Sequence, residues 1–185
     1  MHNTTAPPVC ADQQQQLLGK TFSFDPTANN GQLLEEVVAF YHQRIIEHQP
    51  AHEFLTRRGL SHDLIEHFEL GFADRQLGLS IPMKRCQVGA TLRKRLAKIG
   101  IYRETGHGHF NGSLTVPIRN REGEVCELYG RKIGAHLTKG TRFHSYLADN
   151  SRPHGSARGI FNWSSICEAD EIIVTDSILN ALTFY

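Results

Sequence analysis

Positively charged side chains are concentrated in the middle of this 185-residue chain. Residues 84–158 contain 15 Lys and Arg against 5 Asp and Glu, a net charge of +10. The remaining residues carry 5 basic and 14 acidic side chains, so the formal net charge of the whole chain is only +1. A strongly basic segment in a nearly neutral chain predicts a surface that binds a polyanion such as a nucleic acid.

A single carboxylate stands where a predicted strand passes into a predicted helix. The apolar run of residues 171–176 ends in Asp176, and a helix pattern extends from Ser177 to Tyr185. An acid at this point can take part in the chemistry of a site, and it is also a favoured N-cap for the helix that follows. The local pattern leaves both interpretations open.

The histidines and cysteines do not form a metal-binding pattern. His107 and His109 have only Glu104 nearby, and zinc normally needs three or four convergent ligands. We therefore predict a solvated turn at these histidines. No C-x-x-C pair occurs among the four cysteines, which are Cys10, Cys86, Cys126 and Cys167. This spacing predicts no zinc site and no disulfide scaffold, and it favours a reduced cytoplasmic protein.

The composition is typical of a soluble globular protein with one core. Hydrophobic residues make up 39% of the chain and charged residues 21%. No apolar run approaches the roughly 18 residues that cross a bilayer. The first residues lack the basic start and apolar stretch of a secretory signal. We expect no membrane partner.

The elements that must position the charged residues begin with helices. Residues 1–31 have no lasting periodicity and are predicted to be a flexible tail or linker. Apolar residues at three- and four-residue steps predict a helix from Gln32 to Pro50, and shorter helices follow at 51–58 and after Ser61. Residues 88–99 form a basic amphipathic helix, whose charged face either contacts nucleic acid or is merely solvated.

Short strands follow these helices. Residues 69–73 predict a strand, and residues 113–119 and 124–129 predict an antiparallel pair joined by a four-residue loop. Pro117 has no N–H, so its strand should be an edge there or carry a bulge. Residues 137–158 should be an extended, mostly irregular basic segment. Residues 171–176 are predicted to be a strand, and either Asn162 or Ser164 should cap a short helix.

The order of short motifs from Phe110 onward is specific as a set. The set comprises Phe110, Pro117-Ile118-Arg119, Gly130-Arg131, Tyr146-Leu147 and Gly159-Ile160-Phe161-Asn162. Upstream, residues 41–72 add a helix, "FLTRRGLS", a second helix and "LGFA". Together these residues resemble the catalytic core of bacterial DnaG-type DNA primases, and still more the primase-like Toprim proteins of mobile elements.

The resemblance implies an α+β fold with N-terminal helices, a small antiparallel sheet and an incomplete C-terminal Toprim βα unit. The expected domains are a tail at 1–31, a primase-core subdomain at 32–168 and the start of a truncated Toprim domain at 169–185. It also implies nucleic-acid-binding roles for Arg119, Arg131, Lys132, Arg142, Tyr146 and Arg158. Guanidinium groups can follow backbone phosphates, and an aromatic ring can stack on a base.

Other interpretations of these residues stay open. Arg131 can pair with an acid of its own domain, and Tyr146 can be a core aromatic residue. The basic residues that the family carries elsewhere are replaced here by Asn111, Ser113 and Ser145. These losses imply that template binding is weaker or has shifted to residues such as Arg142 and Arg158.

The resemblance places Asp176 at the position of a Toprim glutamate that is thought to act as a general acid/base near magnesium. Aspartate is one methylene shorter than that glutamate. A later strand bearing Asp-x-Asp would complete the two-metal site, and the sequence ends before it. We therefore expect Mg²⁺ only in an intact parent protein, and neither Mg²⁺ nor zinc in this fragment.

The implied function is that of a DNA primase, which synthesises an RNA primer on a DNA template during replication. The expected partners are single-stranded DNA, ribonucleotides in the intact parent and a replicative helicase. The fragment alone is expected to bind template without catalysis. One alternative is a non-catalytic module for single-stranded nucleic acid, and another is a Toprim-type nuclease or topoisomerase relative.

Overall fold

The computed structural model describes residues 22–134, 137, 139–148 and 158–185. Helices α1 (Asn30–Glu47), α2 (Gln49–Thr56) and α3 (His62–His67) come first, followed by strand β1 (Gly71–Phe72) and helix α4 (Gln87–Lys98). Strands β2 (Ser113–Arg119), β3 (Val125–Lys132) and β4 (His144–Ser145) come next, before helices α5 (Trp163–Glu168) and α6 (Ile178–Leu182). The predicted α+β class is confirmed.

Side-chain caps set where the first helices begin. The Asn29 side chain accepts a hydrogen bond from the Gln32 N–H at 2.9 Å, and the Gln32 side chain accepts one from the Asn29 N–H at 2.8 Å. This capping box starts α1 two residues before the predicted position. Ser61 caps α3 as predicted, because its Oγ accepts a hydrogen bond from the Leu64 N–H at 3.3 Å.

The four strands form one antiparallel sheet in the order β1-β2-β3-β4. Strand β1 pairs only with residues 114–115 of β2. At Pro117, β2 therefore has no strand partner on its β1 side among the described residues. The register with β3 also shifts between residues 118 and 119. Both features fit a residue without an N–H, so the prediction of an edge or bulge at Pro117 is confirmed.

The sheet separates two buried clusters. One cluster joins α1 and α4 to the face of β3 that carries Leu128. The other joins α2, α3 and α6 to the face that carries Val116 and Tyr129, which are cross-strand partners. Because successive residues of a strand point to opposite faces, Arg131 and Lys132 project to opposite sides of the sheet.

Residues 22–31 pack against the core, so the predicted tail boundary at residue 31 is wrong. Phe24 is only 5% exposed. Its ring centroid lies 5.0 Å from that of Phe22 and 6.0 Å from that of Phe40 in α1. Residues 22–31 are ordered because two phenylalanines, two residues apart, bury enough apolar surface to hold a short segment on the core. The rest of the predicted tail, residues 1–21, lies outside the described residues.

The predicted strand at residues 171–176 is not formed, and this corrects the expected Toprim βα unit. Ile172, Ile173 and Val174 are 57%, 68% and 85% exposed. A parallel strand needs neighbours to accept its backbone hydrogen bonds, and no described strand pairs with this segment. The helix of the unit does form, and its Leu179 and Leu182 are buried in the cluster that holds α2 and α3.

Helix α4 uses its arginines mainly within the domain. The Arg93 guanidinium donates hydrogen bonds to the carbonyl oxygens of Pro82 and, at 3.0 Å, of Gly78. Arg95 donates to the carbonyl oxygens of residues 26 and 28, which ties the N-terminal segment to α4. The lysines of the helix stay exposed. No described helix is long and apolar enough to cross a membrane.

Candidate nucleic-acid interface

An open groove lies where β3 meets the edge strand β4. Its volume is about 450 Å³, and its lining residues are Arg131, Thr141, Arg142, Phe143 and His144. Arg131 and Arg142 are two of the residues that the sequence predicts to bind nucleic acid, and the structure brings them together. Phe143 is 48% exposed, so the groove also offers an aromatic surface to a ligand.

Gly130 makes the close packing behind the groove possible. A Cβ atom at this position would lie 2.4 Å from Cδ1 of Phe110 and 2.8 Å from Oγ of Ser145. Phe110 is completely buried, and Ser145 is the β4 residue that pairs with Gly130. The Gly-Arg pair of the motif therefore holds β4 against β3 and places Arg131 at their junction.

The Arg131 side chain is held by an aromatic ring. Its guanidinium carbon lies 4.7 Å from the centroid of the Phe143 ring, within the range of a cation–π interaction. The Nη1 atom is buried, and none of the described residues gives it a hydrogen-bond acceptor. Arg131 takes part in none of the ion pairs between described residues, so the alternative pairing with an acid is not observed.

Asp176 lies near His144, one of the residues that line this groove. Burial, and then the charge of Arg131, lower the pKa of His144, and the nearby Asp176 carboxylate opposes that shift. Asn180 donates a hydrogen bond to Asp176 Oδ1 at 2.6 Å. Asp176 is not the helix cap, because Ser177 Oγ accepts the hydrogen bond from the Asn180 N–H at 3.3 Å. The carboxylate is therefore exposed beside a basic groove.

Tyr146 directly follows the edge strand β4 and packs against the core. Its ring centroid lies 5.7 Å from that of Tyr129, and the ring packs on the cluster that contains β2. Burial, and then the charge of Glu127, raise the pKa of Tyr146 above its ordinary value. The side chain is half-buried, so it is a core aromatic residue on one side and accessible on the other.

Glu127 fixes the segment that carries Tyr146. This carboxylate is 1% exposed, and its Oε1 accepts hydrogen bonds from the backbone N–H groups of Leu128 at 2.9 Å and Leu147 at 2.8 Å. Arg158 lies against the same carboxylate, because both its charge and its backbone N–H stabilise the ionised form of Glu127. The structure therefore places Arg158 beside Glu127, whereas Arg131 and Arg142 line the groove.

Arg119 is engaged within its own domain. Its guanidinium donates hydrogen bonds to both carboxylate oxygens of Glu35, at 3.0 and 3.2 Å, and to the Gly123 carbonyl oxygen at 2.7 Å. Nε and Nη2 also donate to Glu69. Partial burial opposes the charge of Arg119, but these carboxylates outweigh it and raise its pKa. Arg119 thus links α1, the segment between α3 and β1, and the β2–β3 loop.

Lys132 lies on the opposite face of the sheet from the groove. Its ammonium group donates a hydrogen bond to the Asn111 carbonyl oxygen. The structure therefore separates the predicted residues into four places: the groove, the buried Glu127 region, the carboxylates that bind Arg119 and this second face. Sequence reasoning overlooked Phe143 and His144, although an aromatic residue beside Arg142 in a basic, irregular segment was a usable signal.

The residues described here do not form a magnesium site of the kind that Toprim chemistry requires. Magnesium prefers several oxygen ligands in near-octahedral geometry, and two-metal chemistry needs carboxylates that converge. Asp176 is hydrogen-bonded to an amide, and no group of three or more His, Cys, Asp or Glu side chains converges within the described part of the chain. We therefore derive no catalytic step through a metal ion.

Comparison with known proteins identifies the family. The model of the family described as "DNA primase catalytic core, N-terminal domain" matches residues 40–148, which is more than half of the chain. The chain belongs to this family. It is 28% identical over 125 residues to a DNA primase of Pasteurella multocida, and the match covers 65% of this chain and 21% of that protein. The chain therefore spans about one fifth of the length of this relative.

Solved structures agree with this assignment. The structure of the DnaG catalytic core superposes with a TM-score of 0.52 at 26% identity, over 68% of this chain and 40% of that one. The DnaG primase catalytic domain bound to single-stranded DNA superposes with a TM-score of 0.51 at 27% identity, over 65% of this chain and 39% of that one. The resemblance to DnaG-type primases is confirmed, and the link to mobile elements stays a prediction.

Proposed function

We propose that this chain is the template-binding part of a DNA primase and that it holds single-stranded DNA in the groove between β3 and β4. The observation that carries the proposal is the stacked pair of Arg131 and Phe143, with a buried guanidinium nitrogen that has no acceptor among the described residues. The related primase catalytic domain that was solved with single-stranded DNA supports this choice of ligand.

The groove matches the chemistry of a single strand. Its exposed phenylalanine can stack on a base of any sequence, because every base has a π face. Arg142 beside it can neutralise a backbone phosphate, and the charge of Arg131 adds to the positive potential of the groove. Asp176 repels phosphate, so the strand should enter from the Arg142 side of the groove.

We expect salt-dependent binding of a labelled oligothymidylate to the full chain. With about 4 phosphates neutralised, log K should fall with log salt at a slope of about −3, since each single-strand contact contributes about −0.7. Phe143→Ala should weaken binding roughly 5- to 150-fold, because a base–aromatic stack is worth about 1–3 kcal/mol. Arg142→Ala should reduce the slope by about 0.7. Fluorescence anisotropy at several salt concentrations measures both quantities.

Two further variants test the position of the site. Phe143→Tyr keeps the ring and should retain binding, whereas Lys98→Ala removes an exposed charge of α4 and should change little. An affinity that does not depend on salt would contradict nucleic-acid binding by this chain. Wild-type affinity in Phe143→Ala would show that the strand binds elsewhere.

We further propose that primer synthesis requires carboxylates beyond those described here, since Asp176 has no converging acidic partners among the described residues. The purified chain, mixed with template, ribonucleotides and Mg²⁺, should yield no template-dependent oligoribonucleotides on a denaturing gel. Products that disappear in Asp176→Ala would refute this expectation and assign the chemistry to Asp176.

A further inference from the structure

A second group of basic side chains lies on the face of the sheet opposite the groove. It consists of Arg75, Arg103 and Lys132, together with His109, and is called the Lys132 cluster below. Lys132 pairs across the sheet with Ser113, and the groove residue Arg131 pairs with the next residue of β2. The two cationic surfaces are therefore adjacent along β3 but face opposite ways.

Backbone hydrogen bonds bring Arg75 to this face. The pairing of β1 with β2 continues past the end of β1, because the Ala73 N–H donates to the Ser113 carbonyl oxygen at 3.0 Å. The Gly112 N–H donates to the Ala73 carbonyl oxygen at 2.7 Å. Ala73 thus lies beside Gly112, next to the Asn111 carbonyl oxygen that the Lys132 ammonium group binds. Arg75 follows two residues later, close enough for its charge to act on Lys132.

His109 holds Arg103 at the same place. A turn closes when the Gly106 N–H donates to the Arg103 carbonyl oxygen at 2.8 Å. Arg103 Nε donates to His109 Nδ1 at 3.4 Å, and His109 Nε2 lies 2.8 Å from the Tyr146 carbonyl oxygen. Burial lowers the pKa of His109 below its ordinary value. This histidine is half-buried and bonded at both nitrogens, so the predicted solvated turn is wrong for it.

Within the described part of the chain, no carboxylate forms an ion pair with the cations of the cluster, which are Arg75, Arg103 and Lys132. Asp74, the acid next to Arg75, is bound to Arg44 Nε at 2.6 Å. Burial, and then the charges of Arg103 and Arg75, lower the pKa of Lys132. An anion bound here would relieve this repulsion.

Arg75 also adopts an unfavourable backbone conformation. Its φ of +75° lies in the left-handed region, which favours glycine. The Asp74 side chain supports this turn by accepting a hydrogen bond from the Gln76 N–H at 3.0 Å. Strained residues of this kind are often found at binding sites, where the side chain is needed in that position.

We propose that Arg75, Arg103 and Lys132 form a phosphate-binding site, with His109 positioning Arg103. The choice of ligand for this site rests on the proposed function. Single-stranded DNA bound in the groove would continue past the edge of the sheet to the opposite face of β3. The cations of this site come from β3 and from two loops. The triphosphate of a nucleotide offers the same chemistry, and the experiment separates the two sources.

The test uses Arg75→Gly and Arg103→Ala, since both side chains are exposed. Each should reduce the salt dependence of oligothymidylate binding by about 0.7 in slope, with Lys98→Ala unchanged as the charge-matched control. Arg75→Gly should keep or raise the melting temperature, because glycine relieves the left-handed strain. A loss of affinity without a loss of stability separates binding from a structural role.

A second arm titrates inorganic tripolyphosphate into the same proteins by calorimetry. If only tripolyphosphate binding is lost in the two variants, the phosphate comes from a nucleotide and the site stands. Unchanged binding of both ligands would overturn the site, and weakened strand binding in Phe143→Ala would then leave the proposed function intact. If the wild-type chain binds no DNA, the proposed function fails, and tripolyphosphate alone decides the site.

Discussion

Glu127→Ala is expected to lower the free energy of unfolding by about 3 kcal/mol, because two buried backbone N–H groups lose their acceptor at roughly 1–3 kcal/mol each. Those groups belong to Leu128 and Leu147, and both bind the same carboxylate oxygen. Chemical denaturation followed by circular dichroism measures the loss. Since Leu147 lies two residues beyond β4, the variant should also weaken oligothymidylate binding by loosening the edge strand that carries His144 of the groove.

Glu127→Gln is the matched control, because its amide oxygen can accept the same two hydrogen bonds. Burial raises the pKa of Glu127 above 4.5, against the opposing effect of the backbone N–H groups. The folded protein therefore binds this proton more tightly than the unfolded chain, and stability falls as pH rises through the folded pKa. Relative to Glu127→Gln, wild type should gain stability as the pH is lowered from neutral towards 4.5. An equal loss in the Ala and Gln variants would contradict the assigned contacts.

The sequence predicted most of the fold because its elements carry local signals. Ser61 and Gly59 bound the short helices at the expected places, and Gly59 adopts the left-handed φ of +75° that ends α2. Apolar residues placed β2 with its exact bounds, whereas β3 continues to Lys132, three residues beyond its predicted end at residue 129. The segment at 171–176 has the composition of a strand, but a strand also depends on its neighbours, and composition does not reveal them.

The candidate interface was harder to predict because the same residue type serves different roles. Arg119, Arg131 and Lys132 lie within 14 positions of one another on two paired strands. One binds two carboxylates, one stacks on Phe143 and one lies on the opposite face beside Arg103. Their environments are set by contacts distant in sequence, such as that between Arg119 and Glu35. The local sequence pattern therefore identified the charged residues but not the role of each one.

The two cationic surfaces share one structural support. Strand β3 carries Arg131 to the groove and Lys132 to the other face, and Gly130 lets β4 lie against it. His109 links them further, since it contacts Arg103 on one side and the Tyr146 carbonyl oxygen on the other. Single-stranded DNA that crosses the edge of the sheet at β4 would contact both surfaces. The reductions in the salt-dependence slope caused by variants in the two surfaces should therefore add up.

Phe24→Ala is expected to destabilise the chain by about 3–5 kcal/mol, the usual cost of truncating a buried phenylalanine. Phe24 is 5% exposed and packs with Phe22 and Phe40, so its removal leaves a cavity beneath α1. For a chain of this size, each kcal/mol lowers the melting temperature by about 2–4 °C. A thermal shift of roughly 10 °C should therefore be observed by calorimetry.

Phe184→Ala provides the matched control, because the same truncation is made at a ring that is 64% exposed. It should change the melting temperature by less than about 2 °C, since surface substitutions usually stay within ±0.5 kcal/mol. Equal shifts in the two variants would show that residues 22–31 do not belong to the folded core. A large shift confined to Phe24→Ala would instead place the N-terminal edge of the domain at or before Phe22, and α1 would owe part of its stability to the segment that precedes its cap.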